Sequence, residues 1–96
     1  MSVRYYRRPW HECRGNQFDS WGQSVWYFEV DDAGYPIRQI EEYERGPVLK
    51  YDATRPDDQY GGLADQPLDA NDFAAFEISA EEFAAAWTDN PHTRGP

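Results

Sequence analysis

Cysteine and long apolar runs are the features this sequence has least of. Cys13 is the only cysteine in 96 residues, so no disulfide can form within the chain, and nothing favours an oxidising compartment. No apolar run approaches the roughly 18 residues that a membrane-spanning helix needs. The opening stretch MSVRYYRRPWHE has no apolar segment typical of a signal peptide. We therefore expect a cytoplasmic protein with no membrane partner.

Basic residues are also scarce, above all in the second half. The chain has nine Lys and Arg against 18 Asp and Glu, a net charge of −9. Residues 1–50 carry seven basic and eight acidic side chains, whereas residues 51–96 carry two basic and ten acidic ones. This balance disfavours nucleic acid as a partner, because phosphate contacts need Lys and Arg. It favours a basic protein partner, although many soluble domains are simply acidic, and the composition leaves both explanations open.

Aromatic residues are abundant by contrast. The chain contains 4 Trp, 7 Tyr and 5 Phe, and each ring can bury on the order of 150–250 Å². That is enough apolar surface for one core in a chain this short, despite a mean hydropathy of −0.95. We predict a single domain over residues 1–90, followed by a flexible tail at 91–96.

The stretch at 25–51 is predicted to form the central strands of the fold. They alternate aromatic and β-branched side chains around turn signals at 31–34 and 45–46, a pattern typical of a β-meander. The strands are predicted at 3–13, 25–31, 37–44 and 48–51. We therefore predict an α+β fold built on an antiparallel β-meander of about four strands.

Helix signals appear near the end of the chain. Ser79 and Glu82 have the spacing of a capping box, which predicts a helix at 80–88 with Phe83 and Trp87 on one face. Residues 69–76 predict a single turn or a short helix. We expect these one or two short C-terminal helices to pack on one face of the sheet.

The turn at 31–34 sets the predicted register of the meander. If Asp31 pairs with Tyr35, an apolar set shares one face of the sheet, and we expect this face to receive the C-terminal helix. In this register the opposed pairs are Phe28 with Arg38 and Trp26 with Ile40. The apolar set comprises Trp26, Phe28, Val30, Ile40, Leu49 and Tyr51.

Catalytic and metal-binding chemistry finds little support. His11, Glu12 and Cys13 form a cluster that could hold half a metal site, but a closed zinc site needs four ligands and the only other histidine is His92. Paired carboxylates are explained by turns and helix starts, or they point to opposite faces of a strand. We therefore predict no catalytic residue, no metal and no cofactor, and we favour a protein that is not an enzyme.

Two candidate surfaces follow from the predicted fold. The first is the sheet face without a helix, together with an acidic loop, because Tyr is enriched at protein interfaces. Its candidate partner-binding residues are Tyr27, Glu29, Gln39, Glu41, Tyr43, Asp57 and Asp58. An ordinary solvated sheet face explains the same pattern. The alternative is a pocket between the sheet and the loop at 60–63, with His11, Arg38, Glu42 and Tyr60 as its polar groups.

Several motifs resemble a family of small uncharacterised bacterial proteins, a domain of unknown function. They are W-Y-F-E-V-D-x-x-G-Y at 26–35, R-Q-I-E at 38–41, L-K-Y-D at 49–52, Y-G-G-L at 60–63 and F-E-I-S at 76–79. This resemblance implies no activity, cofactor or catalytic residue. In size, acidity and sheet-plus-helix plan, the chain is also similar to immunity proteins that neutralise bacterial toxins.

These observations lead to one functional prediction and one alternative. We predict a small acidic protein-binding module, non-enzymatic and immunity-like, that binds a basic protein partner. The alternative is a small enzyme or a small-ligand-binding protein that uses the pocket beside the loop at 60–63. The sequence leaves open the oligomeric state and whether Phe18 and Trp21 belong to the core or to a contact surface.

Overall fold

A computed structural model describes residues 3–11 and 19–89 of the chain. The strands are β1 (Arg4–Trp10), β2 (Ser24–Val30), β3 (Pro36–Tyr43), β4 (Val48–Tyr51), β5 (Asp57–Asp58), β6 (Gly61–Gly62) and β7 (Glu77–Ile78). The helices are α1 (Ala70–Phe73), which continues as a 3-10 turn at Ala74–Phe76, and α2 (Ala80–Asp89); a further 3-10 turn lies at Asp19–Trp21. Cys13, Phe18 and the predicted tail at 91–96 lie outside the described residues.

The architecture is α+β, as predicted. Five antiparallel strands form one sheet in the order β4-β3-β2-β1-β7, and β5 pairs with β6 in a small separate hairpin. Strand β7 pairs with β1 through Ile78 opposite Tyr5 and Glu77 opposite Tyr6, so residues far apart in the sequence are neighbours at this edge of the sheet. Pro47 directly precedes the edge strand β4, where a missing N–H breaks no ladder hydrogen bond.

The turn between β2 and β3 forms as its residues predict. The Asp31 amide donates to the Tyr35 carbonyl at 3.0 Å, and the Gly34 amide donates to the Asp31 carbonyl at 2.9 Å. Gly34 has a φ of +88°, a conformation that costs glycine little and other residues more. The predicted pairing of Asp31 with Tyr35 is therefore confirmed.

A β-bulge directly after this turn makes the rest of the predicted register wrong. Glu29 and Val30 are adjacent in β2, but their partners Arg38 and Pro36 are two residues apart in β3, so Ile37 has no opposite residue. The pairs that follow are Phe28 with Gln39, Tyr27 with Ile40, and Trp26 with Glu41. The expected pairs of Phe28 with Arg38 and of Trp26 with Ile40 do not form, because the extra residue shifts β3 by one position.

That shift exchanges side chains between the two faces of the sheet, since successive residues of a strand point to opposite sides. Cross-strand partners then define each face. The first face carries Tyr6, Trp26, Phe28, Val30, Gln39, Glu41, Tyr43, Leu49 and Tyr51. The second face carries Tyr5, Tyr27, Glu29, Arg38, Ile40, Glu42 and Lys50. Ile40 was expected on the apolar face with Trp26 and Phe28, and it lies on the opposite one.

Core residues lie on both faces. On the first face, Phe73 of α1 packs in a buried cluster with Tyr6 and Phe28. On the second face, Phe83 of α2 is completely buried against Ile40. The two helices therefore lie on opposite faces of the sheet and not together on one, and α2 meets Ile40 as expected but not Trp26 or Phe28.

Both helices begin at the residues that the sequence indicates. The Glu82 amide donates to Ser79 Oγ at 3.1 Å, which confirms Ser79 as the N-cap of α2. The Asp69 carboxylate accepts from the amides of Asn71 and Asp72 at 2.8 and 3.3 Å, and so caps α1. Each cap satisfies amides that have no partner within the helix, which fixes where the helix starts.

Candidate functional site

Residues 52–76 lie over the first face of the sheet, and we call them the acidic layer. They contain six aspartates, with Arg55 as their one basic residue. Leu63 packs against the buried cluster around Leu49, and Leu68 packs against the cluster around Phe28. The Leu68 amide also donates to the Gly34 carbonyl at 2.9 Å, which joins the layer to the turn between β2 and β3.

Gln39 hydrogen-bonds the acidic layer to the sheet. Its side chain is 1% exposed. Its Nε2 donates to the Gly62 carbonyl at 3.2 Å, and its Oε1 accepts from the Ala64 amide at 3.0 Å. Gly62 permits this close packing, because a Cβ there would lie 2.5 Å from the Pro56 carbonyl oxygen. Gly62 therefore serves the packing of the layer.

Glu41 is a buried carboxylate beside Gln39, with only 4% of its surface exposed. Tyr43 donates its hydroxyl proton to Glu41 Oε1 at 2.6 Å, and Gln39 Nε2 donates to Oε2 at 2.8 Å. A buried polar group is costly unless it is hydrogen-bonded, and here both carboxylate oxygens have a donor. This network lies inside the protein, between β3 and the acidic layer.

Tyr51 forms a second polar link to the layer. Its hydroxyl donates to Asp58 Oδ1 at 2.9 Å, and the same oxygen accepts from the Tyr60 amide at 2.8 Å. Burial and then the hydrogen bond to Asp58 raise the pKa of the Tyr51 phenol above its ordinary value. Asp58 thus organises the layer internally, whereas the neighbouring Asp57 is exposed.

The second face is covered in its middle by α2. Glu29 forms an ion pair with Arg38, whose side chain is about one-third exposed. The Arg38 guanidinium lies 4.9 Å from the ring centres of both Phe83 and Trp87. Tyr27 is half-buried and packs against the same helix cluster. These side chains hold α2 against the sheet by packing and by cation–π contact.

The seven residues predicted to bind a partner are therefore not assembled into one surface. Gln39, Glu41 and Tyr43 are buried beneath the acidic layer on the first face. Tyr27 and Glu29 lie on the second face. The bulge at Ile37 is the physical reason, because it moves the polar residues of β3 to the face opposite Tyr27 and Glu29.

The four polar groups of the alternative pocket are also separated. His11 and Glu42 line one open hollow of about 350 Å³, where β1 ends, β2 begins and β3 ends. Tyr60 lies on the first face with its ring 5.4 Å from that of Trp21. Arg38 lies beneath α2 on the second face. Trp21, which the sequence left unassigned, packs against the first-face core.

The outer side of the acidic layer is a strongly negative surface. Its exposed aspartates are Asp57, Asp65, Asp69 and Asp72. The ion pairs of Arg4 with Glu77 and of Arg45 with Glu44 lie outside the layer. Several carboxylates are thus presented to solvent on one side of the protein, which favours approach by a cationic surface.

Next to this surface is a half-open apolar cavity that the sequence did not indicate, and we call it the aromatic cleft. It is lined by Arg8, Trp10, Trp26, Phe28, Leu68 and Phe73. Its rings are in series: Trp10 lies 6.1 Å from Trp26, and Trp26 lies 6.0 Å from Phe28. The pairing of Arg8 with Trp26 brings the walls of the cleft together. Predicting the cleft would have required the register between β1 and β2, which the sequence alone does not define.

Within residues 3–11 and 19–89, no group of three or more His, Cys, Asp and Glu side chains has the arrangement of a metal site. None of the helices in the same ranges is both long enough and apolar enough to cross a membrane. Comparisons of the chain with protein-family models, curated proteins and solved structures return no match. The functional argument therefore depends on the chemistry of the surfaces described above.

Proposed function

We propose that this protein is a non-enzymatic protein-binding module whose acidic layer binds a basic surface of another protein. One observation carries the proposal: exposed aspartates are concentrated on one side of the sheet. Asp57, Asp65, Asp69 and Asp72 share that side, and Arg55 is the one basic residue among 52–76. Complementary charge steers association and selects partners more than it adds affinity.

We further favour an immunity-like role in the cytoplasm, with a bacterial toxin as the basic partner. The support is a size, an acidity and a sheet-plus-helix plan like those of immunity proteins; the resemblance of the motifs at 26–35 and 60–63 to a small bacterial family supports a bacterial source alone. Nucleic acid is not proposed as a partner, because a net charge of −9 repels phosphate.

The test compares two double variants that remove the same charge from different faces. Asp65→Asn with Asp72→Asn removes two negative charges from the acidic layer, and Glu81→Gln with Glu82→Gln removes two from α2; all four side chains are exposed. Immobilised protein is used to capture partners from host lysate at low salt, and the affinity of the identified partner is then measured against salt concentration. We expect the layer variant to weaken binding several-fold and the α2 variant to bind like wild type.

The salt series provides a second criterion. Exposed charges are screened over about 10 Å at 0.1 M salt, so binding through the acidic layer must weaken as salt rises. A partner whose affinity is unchanged by salt, or by both double variants, would contradict the proposal. So would the capture of no protein at low salt.

A further inference from the structure

The aromatic cleft has the size of one large side chain. Its volume is about 180 Å³, which is below the roughly 300–1,000 Å³ typical of pockets for cofactors and drug-sized ligands. Trp10 at its mouth is 43% exposed, an unusual state for a residue of this size. The cleft is therefore better matched to a single residue of a protein partner than to a small-molecule substrate.

The wall of the cleft is apolar even where Arg8 contributes to it. The Arg8 guanidinium lies 4.8 Å from the ring centre of Phe73 and 5.1 Å from that of Phe76, so aromatic rings cover it. The cleft exposes no polar atom. Water inside it has few hydrogen-bond partners, and its displacement by an apolar group is favourable.

A second hollow, of about 400 Å³, adjoins the cleft across Leu68 and Phe73, which line both. The turn between β2 and β3 contributes Asp31 and Asp32 to its wall. Arg4 also lines it, but the Arg4 guanidinium is paired with Glu77 at 3.3 Å. The groove formed by the two cavities thus runs from an apolar end to an end with a carboxylate pair.

We propose that this groove binds a segment of the basic partner through one bulky apolar side chain, which enters the aromatic cleft, while cationic residues of the same segment lie toward Asp31 and Asp32. This inference rests on the proposed function, since it names the part of the partner that is recognised. Charge complementarity selects the occupant: the acidic layer and the turn carboxylates favour Lys and Arg beside the apolar anchor. Arg8 lies at the apolar end of the groove and repels other cations. The Lys and Arg residues of the bound segment therefore extend away from the aromatic cleft.

The test uses two synthetic peptides with the same charge. One is acetyl-Phe-Ser-Gly-Lys-Ser-Lys-Lys-amide, and the other has Ala in place of Phe. Dissociation constants are measured at low salt with wild type, with Trp10→Ala, and with Ile37→Ala as a control. Ile37 is exposed to a similar degree, 39%, and lines neither cavity. We expect wild type and the control to bind the Phe peptide about tenfold more tightly than the Ala peptide, and Trp10→Ala to lose that difference.

The four tryptophans supply an independent readout in the unmodified protein. Binding of the Phe peptide should shift the indole N–H resonances of Trp10 and Trp26, whereas those of Trp21 and Trp87, which lie outside the cleft, should stay in place. Equal, salt-sensitive affinity for both peptides would overturn the cleft inference and leave the acidic layer as a binding surface. Shifts confined to Trp21 or Trp87 would also overturn it. Failure of both peptides to bind at low salt would contradict the proposed function as well.

Discussion

Gln39 offers the sharpest test of how the acidic layer is held on the sheet. We consider Gln39→Met, which keeps the length and approximate volume of the side chain and removes its polar atoms. Three hydrogen bonds are lost: those to the Gly62 carbonyl, the Ala64 amide and Glu41 Oε2, at 3.2, 3.0 and 2.8 Å. Since Gln39 is only 1% exposed, water cannot replace them without an opening of the structure.

The expected cost follows from these three contacts. A hydrogen bond contributes about 1 kcal/mol net, and a buried group left unsatisfied costs about 1–3 kcal/mol, so the loss is about 3 kcal/mol or more. This is a large fraction of the roughly 5–15 kcal/mol by which a domain is stable. At about 4–8 °C per kcal/mol for a domain of this size, the melting temperature should fall by roughly 12–24 °C.

Urea and thermal unfolding followed by circular dichroism measure this loss, with Gln59→Met as the control because Gln59 is exposed in the same layer. The Ala64 amide should also exchange its hydrogen faster in the Gln39 variant, since its acceptor is gone. A Gln39→Met protein within about 0.5 kcal/mol of wild type would refute the reasoning, because that is the range of ordinary surface substitutions.

Two further predictions concern other buried or capping groups. Because burial raises the pKa of Tyr51 above its ordinary value of 10.0, the folded protein keeps a phenol proton that the unfolded chain releases above that pH. The contribution of Tyr51 to the free energy of unfolding is thus complete below about pH 10 and declines at higher pH, by up to about 1.4 kcal/mol per pH unit. Urea unfolding between pH 8 and 11 should therefore show a shallower loss of stability for Tyr51→Phe than for wild type. An identical slope for the two proteins would contradict the assignment. Ser79→Ala should cost about 1 kcal/mol through loss of the α2 cap. A fall of about 4–8 °C in the melting temperature is expected, whereas the exposed Thr88→Ala should have little effect.

Local chemistry allowed part of the fold to be predicted correctly. Asp31 and Gly34 determine a turn within five residues, and Ser79 binds an amide three residues later. All the atoms involved lie within one turn or one helical start, so the sequence contains the whole interaction. The adjacency of β2 to β3 and of β3 to β4 followed for the same reason, since short turns join these strands.

The predicted register of β3 was wrong because it omitted a β-bulge, and a bulge depends on contacts with another strand. In the predicted register Arg38 lay opposite Phe28 on the apolar face, which was physically unfavourable. In the structure the bulge at Ile37 brings Arg38 opposite Glu29, where the two form an ion pair. Opposite charges facing each other across two strands are stabilising, so the misplaced arginine was the signal that the register needed one more residue.

The candidate site depended on interactions between residues far apart in the chain, and these explain why its predicted residues do not share one surface. Gln39, Glu41 and Tyr43 alternate along β3 as solvent-facing residues do, and nothing local shows that residues 52–76 cover them. Their polar atoms position the acidic layer and therefore the exposed aspartates. A Gln39 variant can consequently weaken partner binding by displacing that surface, without Gln39 touching the partner. The side chains of Asp65 and Asp72 are exposed. If the Asp65→Asn, Asp72→Asn variant loses partner binding while its melting temperature stays unchanged, these two residues contact the partner, whereas a residue that holds the contact surface in place would lower both.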